Sequence, residues 1–358
     1  MLKLGCEITI ESPPSENDQG GQKWVFNALS SCVIVEDTGS LTDTCVIELP
    51  KKISWQRDPR PRKDQKASDE SEPVKEVPIK RGDQITVRLG YDGDLKTRFS
   101  GYVRNVDTKA PVRIECEDGM FLLKLKPAKQ RGLDNNTTLK GLIGFLLEGT
   151  GVEYKLLDDQ DIDLGRYRIT KSTVAEELNE LKREKSFKAY FRLIKDKNDP
   201  EKTKSVLYVG YDYPFDSKNK ESFVHSKNII TEELIYRRAE DMKLKVKATS
   251  INRNNVRIEL PPNGDQDGEE IQVFAYNLNP DELKLFAEKA LNRYKYTGHR
   301  GSFETFGEPL VHKCDIAHIE PSDGKKGDYL IKKLEVSFGT GGYRQKIELG
   351  PIIKTEDK

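Results

Sequence analysis

The sequence predicts a mixed, mainly β protein: two small β-barrel domains flanking an α+β insertion of helix and strand. Three observations point there. Residues 80–126 hold three short strands punctuated by Gly and Pro, residues 126–204 change to helical periodicity, and strand character returns from Leu244 onward. The expected division is a first barrel domain at 1–126 with a long loop at 50–78, an insertion at 127–204, and a second barrel domain at 205–358 with a helix at 280–297. Residues 205–240 either belong to that last unit or pack back on the first barrel.

Taken in order, residues 3–10 and 23–35 read as strands separated by a turn rich in Pro, Ser, Asn and Gly. Leu41 to Leu49 reads as another, with Cys45, Ile47 and Leu49 on one face. Residues 50–78 break the pattern with prolines, dense mixed charge and almost no apolar periodicity. A segment of that kind is either functional or disordered. Within it, Trp55 amid Arg57, Arg60 and Arg62 is the candidate inter-subunit contact, because Trp and Arg are enriched where interfaces concentrate their binding energy.

The clearest strand pattern follows. Ile85, Val87 and Leu89 alternate with Gln84, Thr86 and Arg88, the period of a half-buried strand. Asp92-Gly93 tolerates the positive φ angles of a tight hairpin. A second strand runs from about Lys96 to Val106, with Gly101 available for a bend or bulge, and a third runs from Val112 to Glu117.

Helical spacing then takes over. Leu139, Leu142, Ile143, Leu146 and Leu147 share one face of a helix that stops near Gly149 and Gly151. Thr173 and Glu176 have the spacing of a capping box, opening a helix that buries Val174, Leu178 and Leu181. Phe187, Ala189, Phe191 and Leu193 alternate as a strand able to pair with Ser205 to Gly210. Further strands fall at Leu244–Thr249, Val256–Leu260 and Ile271–Tyr276. In the next helix Asn279 is the cap, Pro280 the first helical residue and Glu282 the third. Its buried stripe is Leu283, Phe286, Ala287, Ala290, Leu291 and Tyr294, and Gly298 is its expected stop.

Composition excludes several function classes. Lys+Arg and Asp+Glu both total 60 in 358 residues, whereas a chain built for nonspecific nucleic-acid binding carries a basic excess. The five cysteines are odd in number, widely spaced and free of CxxC, which favours reduced thiols in a chain made in the cytoplasm. Leu4-Gly5-Cys6 has too little chain before it for the apolar stretch of a lipoprotein signal, so it reads as strand and no signal peptide is expected. No apolar run reaches the length of a membrane span.

Motifs for chemistry fail on spacing. His312, Cys314 and His318 would be spread along a strand, without a fourth zinc ligand. Asn263, Asp265, Asp267 and Gly268 mimic half of a calcium loop, but Phe274 stands where a bidentate Glu is needed, so a hairpin turn is expected. The Asp159, Asp161, Asp163 series has Leu164 where that loop needs Gly. Gly339 to Gly342 lacks the lysine of a phosphate loop and reads as a turn. No GxSxG occurs. The expectation is no catalytic site, no metal and no cofactor.

Several stretches carry a family resemblance. The order Arg81-Gly82-Asp83, strand, Gly90-Tyr91, hairpin, Phe99-Ser100-Gly101-Tyr102-Val103, loop, Ile114 to Asp118 resembles the first barrel of phage tail baseplate hub proteins. That family includes late control protein D and the hub half of type VI secretion spike proteins. Val206 to Gly210 is similar to a strand of the family's α/β insertion. Three groups resemble the second barrel: Gly298, Gly301, Ser302, Gly307 and Pro309; Gly327, Tyr329, Ile331 and Leu334; and Gly342-Tyr343-Arg344 with Ile347, Leu349 and Gly350. The sequence departs from the pattern at Lys313-Cys314-Asp315, where many relatives have a Gly-Asp turn.

The resemblance implies a structural hub of a contractile tail or related injection machine. Such a hub is a homotrimer with two similar barrels per subunit, adapting a hexameric tail tube to a trimeric central spike and meeting other baseplate proteins. It implies residence in a virion tail baseplate or extracellular injection particle, assembled in the bacterial cytoplasm, with no membrane insertion and no sequence-specific nucleic acid. On this reading the strands of 80–126 form one barrel, and those of 241–260 with 303–350 form the other. The alternatives are a tail-associated cell-wall hydrolase and the tail-tip hub of a non-contractile phage.

Overall fold

The computed structural model describes residues 2–13, 22–50, 78–109, 111–133, 136–157, 161–185, 187–195, 203–210 and 219–353. Seven strands open the chain: β1 (Leu4–Glu11), β2 (Lys23–Phe26), β3 (Ser31–Asp37), β4 (Thr44–Leu49), β5 (Gln84–Tyr91), β6 (Asp94–Asp107) and β7 (Val112–Glu117). They pair antiparallel in the order β2-β1-β5-β6-β7-β4-β3. Alternation places Ile85, Val87 and Leu89 in the core, as predicted. The β5–β6 hairpin turns at Asp92 and Gly93, whose φ angles are 50° and 89°. At Gly101 a built Cβ would sit 2.1 Å from the Glu117 carbonyl oxygen, so the glycine permits a close backbone approach. The expected irregularity falls just beyond it, where the β6–β7 register shifts between Val103 and Asn105. The strand predicted over 23–35 is two strands, broken at residues 27–30.

The insertion comprises α1 (Met120–Leu125), β8 (Thr137–Thr138), α2 (Leu139–Leu147), β9 (Tyr154–Leu156), β10 (Asp163–Gly165), α3 (Val174–Lys185), β11 (Lys188–Lys195) and β12 (Thr203–Gly210). The five predicted apolar residues of α2 are all buried. Both halves of the predicted capping box on α3 are made, Glu176 N–H donating to Thr173 Oγ1 and Thr173 N–H to Glu176 Oε2. β12 pairs with β11 over the full length of both, so Ser205 to Gly210 sits where the aromatic alternation predicts.

The remaining elements are β13 (Lys220–Val224), β14 (Ile229–Arg237), β15 (Leu244–Ile251), β16 (Arg257–Glu259), β17 (Asn263–Gly264), β18 (Glu269–Tyr276), α4 (Pro280–Tyr294), β19 (Gly298–Phe306), β20 (Ile316–Glu320), β21 (Gly327–Gly339) and β22 (Gly342–Ile352). Six of them pair in the path β13-β20-β21-β22-β19-β14. Its two ends, β13 and β14, are consecutive in the chain through the turn at 225–228. Phe223 and Phe303 meet inside this set with ring centroids 5.1 Å apart.

Here the expectation for residues 241–260 is corrected. β15 to β18 form their own four-stranded sheet, on which α4 packs Leu283 and Ala287 against Val246, Ala248 and Ala275. The strands that complete the second set are instead β13 and β14, which lack a clean period-two pattern and were unassigned from sequence. The Asp265–Gly268 segment is likewise not a simple hairpin turn. It crosses from β17, antiparallel to β15, to β18, parallel on the other side of β15. The capping box of α4 is complete, but the helix ends at Tyr294, and Gly298 begins β19.

The two strand sets are continuous. β21 pairs with β3 from Lys333↔Asp37 to Gly339↔Ser31, joining 13 strands into one sheet. A single apolar cluster contains Ile34 and Ile47 of the first set and Leu334, Val336 and Ile347 of the second.

Candidate functional site

The predicted contact residues Trp55, Arg57, Arg60 and Arg62 lie outside the described residues. The histidines and cysteines are placed. Each of the four histidines is held by a carboxylate: His225 by Glu232 at 2.8 Å, His299 by Asp323 at 3.0 Å, His312 by Glu36 at 2.8 Å and His318 by Asp328 at 2.6 Å. All five cysteines are buried free thiols. Cys32 and Cys45 approach to 3.8 Å, and burial pushes the Cys6 thiol up to about 11 and the Cys45 thiol well above its ordinary value. Such thiols stay protonated and poorly nucleophilic. Among the described residues no group of three or more His, Cys, Asp or Glu is arranged to hold a metal ion.

What the structure does assemble is a buried polar junction where the first strand set, the insertion and the second strand set meet. Its centre is Lys313, 1% exposed. The Lys313 ammonium donates to Asp43 at 2.7 Å, and its backbone N–H donates to Glu36 at 2.9 Å. Asp43 follows β3 and precedes β4, while Asp118 follows β7. Asp43 N–H donates to the Asp118 carboxylate at 3.0 Å, and Asp118 N–H returns a bond to the Asp43 carbonyl at 3.1 Å. From the insertion, Arg192 on β11 donates to Asp315 at 2.8 Å, and Tyr190 lays its ring 5.3 Å from the Lys313 ammonium. Asn219 Nδ2, just before β13, donates to the other Asp315 oxygen at 2.7 Å.

The local backbone explains the placement. Cys314 has φ 67°, a left-handed turn that directs Lys313 inward and lets Asp315 accept from His312 N–H at 2.8 Å. That is the tripeptide at which the sequence departs from the hub pattern. A glycine at position 314 would adopt this left-handed backbone without strain.

Electrostatics in the junction are strained. Burial, reinforced by Asp118 and Glu36 against the pull of Lys313, pushes Asp43 up to about 8. Burial pushes Asp118 up to about 6. For Glu36 burial works upward, but His312 and Lys313 together hold it below the ordinary carboxylate range. A cavity of about 20 Å³, the size of one water, lies among Glu36, Asp43, Asp118, Arg98, Arg192 and His312.

Arg98 on β6 forms a second tie between the strand sets. It is 1% exposed, donates to the carbonyls of Val311 (3.0 Å) and Gly307, and bonds Gln345 Oε1 at 3.2 Å and the Tyr343 hydroxyl. A buried guanidinium answered only by neutral acceptors is costly unless every N–H finds a partner. These two ties, together with the β3–β21 ladder, make one body of the two strand sets.

The outer edges are open for partners. β14 ends the long sheet, and among the described residues its outer edge has no ladder partner. Ile230 and Ile235 on it are exposed. Among the described residues β2 ends the other side, and β18 leaves an unpaired edge on the small sheet. No described helix is long and apolar enough to cross a membrane.

No family sequence model and no curated protein matches this chain. Solved structures do. The tail protein from Neisseria meningitidis MC58 superposes with TM-score 0.60 at 12% identity, covering 97% of this chain and 96% of that one. The 43 kDa tail protein of prophage MuSo2 from Shewanella oneidensis gives 0.58 at 14%, covering 97% and 98%. The Escherichia coli c3393 protein, a component of the type VI secretion system with structural similarity to the T4 tail proteins gp27 and gp5, gives 0.51 at 11%, covering 92% and 74%. The chain therefore has the fold of phage tail and type VI secretion spike-associated proteins. At these identities the likeness is one of fold.

Proposed function

We propose that this chain is a structural, non-catalytic hub subunit of a contractile tail or related injection machine. Three copies form a ring, present two similar barrel-like strand sets each to a hexameric tube, and meet a trimeric spike on the other face. Residence in a tail baseplate or injection particle follows from that role. The observation that carries the reading is the joining of the two strand sets by the β3–β21 ladder, inside a fold that spans nearly the whole of two tail proteins. A symmetry adaptor needs two patches held at a fixed angle within one subunit, because a closed ring contacts its partners through repeated patches.

The open edges of β14 and β18 suit neighbour-to-neighbour strand pairing. Trp55, Arg57, Arg60 and Arg62 remain the proposed side-chain contact between subunits. Light scattering of the purified chain, alone and with a candidate spike, tests the reading. A trimer in either condition supports it. Monomer in both, or a zymogram showing peptidoglycan cleavage, sinks it. Superposing the two strand sets tests the adaptor geometry separately, with a rotation of about 60° about the ring axis expected for a six-patch face.

A further inference from the structure

A cavity of about 350 Å³ opens between α3 and the β15–β16 turn, at the lower end of the size range of ligand sites. None of its lining belongs to the junction around Lys313. Its walls are fixed to each other. Gly165 has φ 65° and lies so near the Arg253 carbonyl that a built Cβ would fall 1.8 Å from that oxygen. Asn255 Nδ2 donates to the Arg166 carbonyl at 3.2 Å, and Asn277 Nδ2 to the Asp163 carbonyl at 3.0 Å. Ile251 and Tyr276 also belong to the apolar cluster of the insertion. The cavity is therefore preformed.

Its charges are unevenly satisfied. Arg166, Arg168, Lys185 and Arg257 line it together with Glu177, Glu180 and Glu184. The carboxylates are occupied. Glu177 is fully buried and accepts from Tyr167 Oη at 2.7 Å, Thr170 N–H at 3.1 Å and Lys171 N–H at 2.9 Å. Glu180 is bridged to Lys171 and Arg183, and Glu184 to Arg183 at 3.3 Å with Arg257 at 3.9 Å.

Two of the cations, by contrast, have no carboxylate within ion-pair distance among the described residues: Arg168 and Lys185. Among the described residues the Lys185 ammonium donates to the Asn255 side-chain carbonyl at 3.1 Å and sits 5.1 Å from the Tyr276 ring. Burial, then the neighbouring Arg257, hold its pKa below the ordinary lysine value, as expected of an under-neutralised cation. Leu181 and Ile251 form the buried floor beneath these polar groups.

We propose that this cavity binds a monocarboxylate, the chemistry of a Glu side chain or of a small free acid. The anion would be answered by Lys185 and Arg168. The carboxylates in the wall repel a bound anion more strongly as its charge grows, which favours a monoanion over a phosphate dianion. The proposal stands apart from the hub reading, since it concerns no subunit contact.

Calorimetric titration of the full chain tests it with four probes: N-acetylglutamate α-amide, its neutral glutamine isostere, butyrate and inorganic phosphate. Saturable binding of an acidic probe is expected, weakened about tenfold or more by Lys185→Gln and by Arg168→Gln and retained in Lys185→Arg. Tighter binding of the blocked glutamate assigns the ligand to a peptide segment, and tighter butyrate assigns it to a free acid. Both outcomes support the carboxylate site. Arg168 is exposed, so its variant keeps the test open should the Lys185 variant misfold. The proposal is overturned if no probe saturates, if the glutamine isostere or phosphate binds as tightly as the acids, or if both charge-removing variants bind unchanged.

Discussion

Replacing Lys313 by Met puts the junction under the most direct test. The substitution keeps an unbranched chain of similar reach, so packing changes little, but it removes the cation that faces Asp43 at 2.7 Å. Breaking a buried pair by deleting one partner costs about 3–5 kcal/mol. With Lys313 gone, the carboxylates it faces must protonate to stay buried, and that costs less free energy the closer the pH lies to their ordinary range.

The loss therefore carries a pH signature. Urea unfolding followed by far-UV circular dichroism is the assay, run at pH 7 and at pH 5. Lys313→Met should lose about 3–5 kcal/mol at pH 7 and less at pH 5. Adding Asp43→Asn should recover a large part at pH 7, because one buried acid leaves with the base. A loss below about 1 kcal/mol at pH 7, or an equal loss at both pH values, would refute the reasoning.

Three other outcomes follow from the same geometry. In the unaltered protein Asp43 and Asp118 both bind protons more tightly folded than unfolded, so their contribution is full near pH 4 and is lost as pH rises toward about 8; Glu36 acts oppositely and loses its contribution in more acidic solution. Stability measured against pH should decline across that window, and Asp43→Asn should flatten the decline. Arg98→Met should cost about 2–4 kcal/mol, because the Gly307 and Val311 carbonyls lose their donors inside the protein; a melting temperature unchanged from wild type would contradict that. Gly165→Ala should loosen the contact with the Arg253 backbone and expose the β15–β18 module to proteolysis earlier than the long sheet, at a cost of about 1–3 kcal/mol; uniform protection in limited digestion would count against it.

Much of the fold was legible because its signals are local. The alternation at Ile85, Val87 and Leu89, the Asp92-Gly93 turn, the apolar face of α2 and the two capping boxes each involve residues close in the chain, and each element appears where expected. β13 and β14 were missed because polarity does not follow burial there: in Ile229–Arg237 exposure alternates, yet Ile230 and Ile235 face outward while Glu232 is half-buried. The separate sheet of β15 to β18 was misassigned because strand character says nothing about which strands pair. The junction was the least legible part. Glu36, Asp43, Asp118 and Lys313 are scattered charged residues among 120 Lys, Arg, Asp and Glu, and only the tertiary fold selects them. The odd tripeptide at Lys313 marked the place without revealing its partners.

The β3–β21 ladder also sets a timetable for synthesis. β3 emerges early from the ribosome, yet its partner strand follows about 300 residues later, which at ~5–20 residues per second leaves β3 waiting about 15–60 s. Throughout that interval the Cys32-Val33-Ile34-Val35 stretch offers an unsatisfied hydrogen-bonding edge to any nascent chain on the same message. Glu36 and Asp37 cap that stretch with negative charge, a natural deterrent to premature pairing. The same Glu36 later receives the His312 ring and the Lys313 amide. One residue thus guards the unfinished edge during translation and helps seal it when the chain is complete.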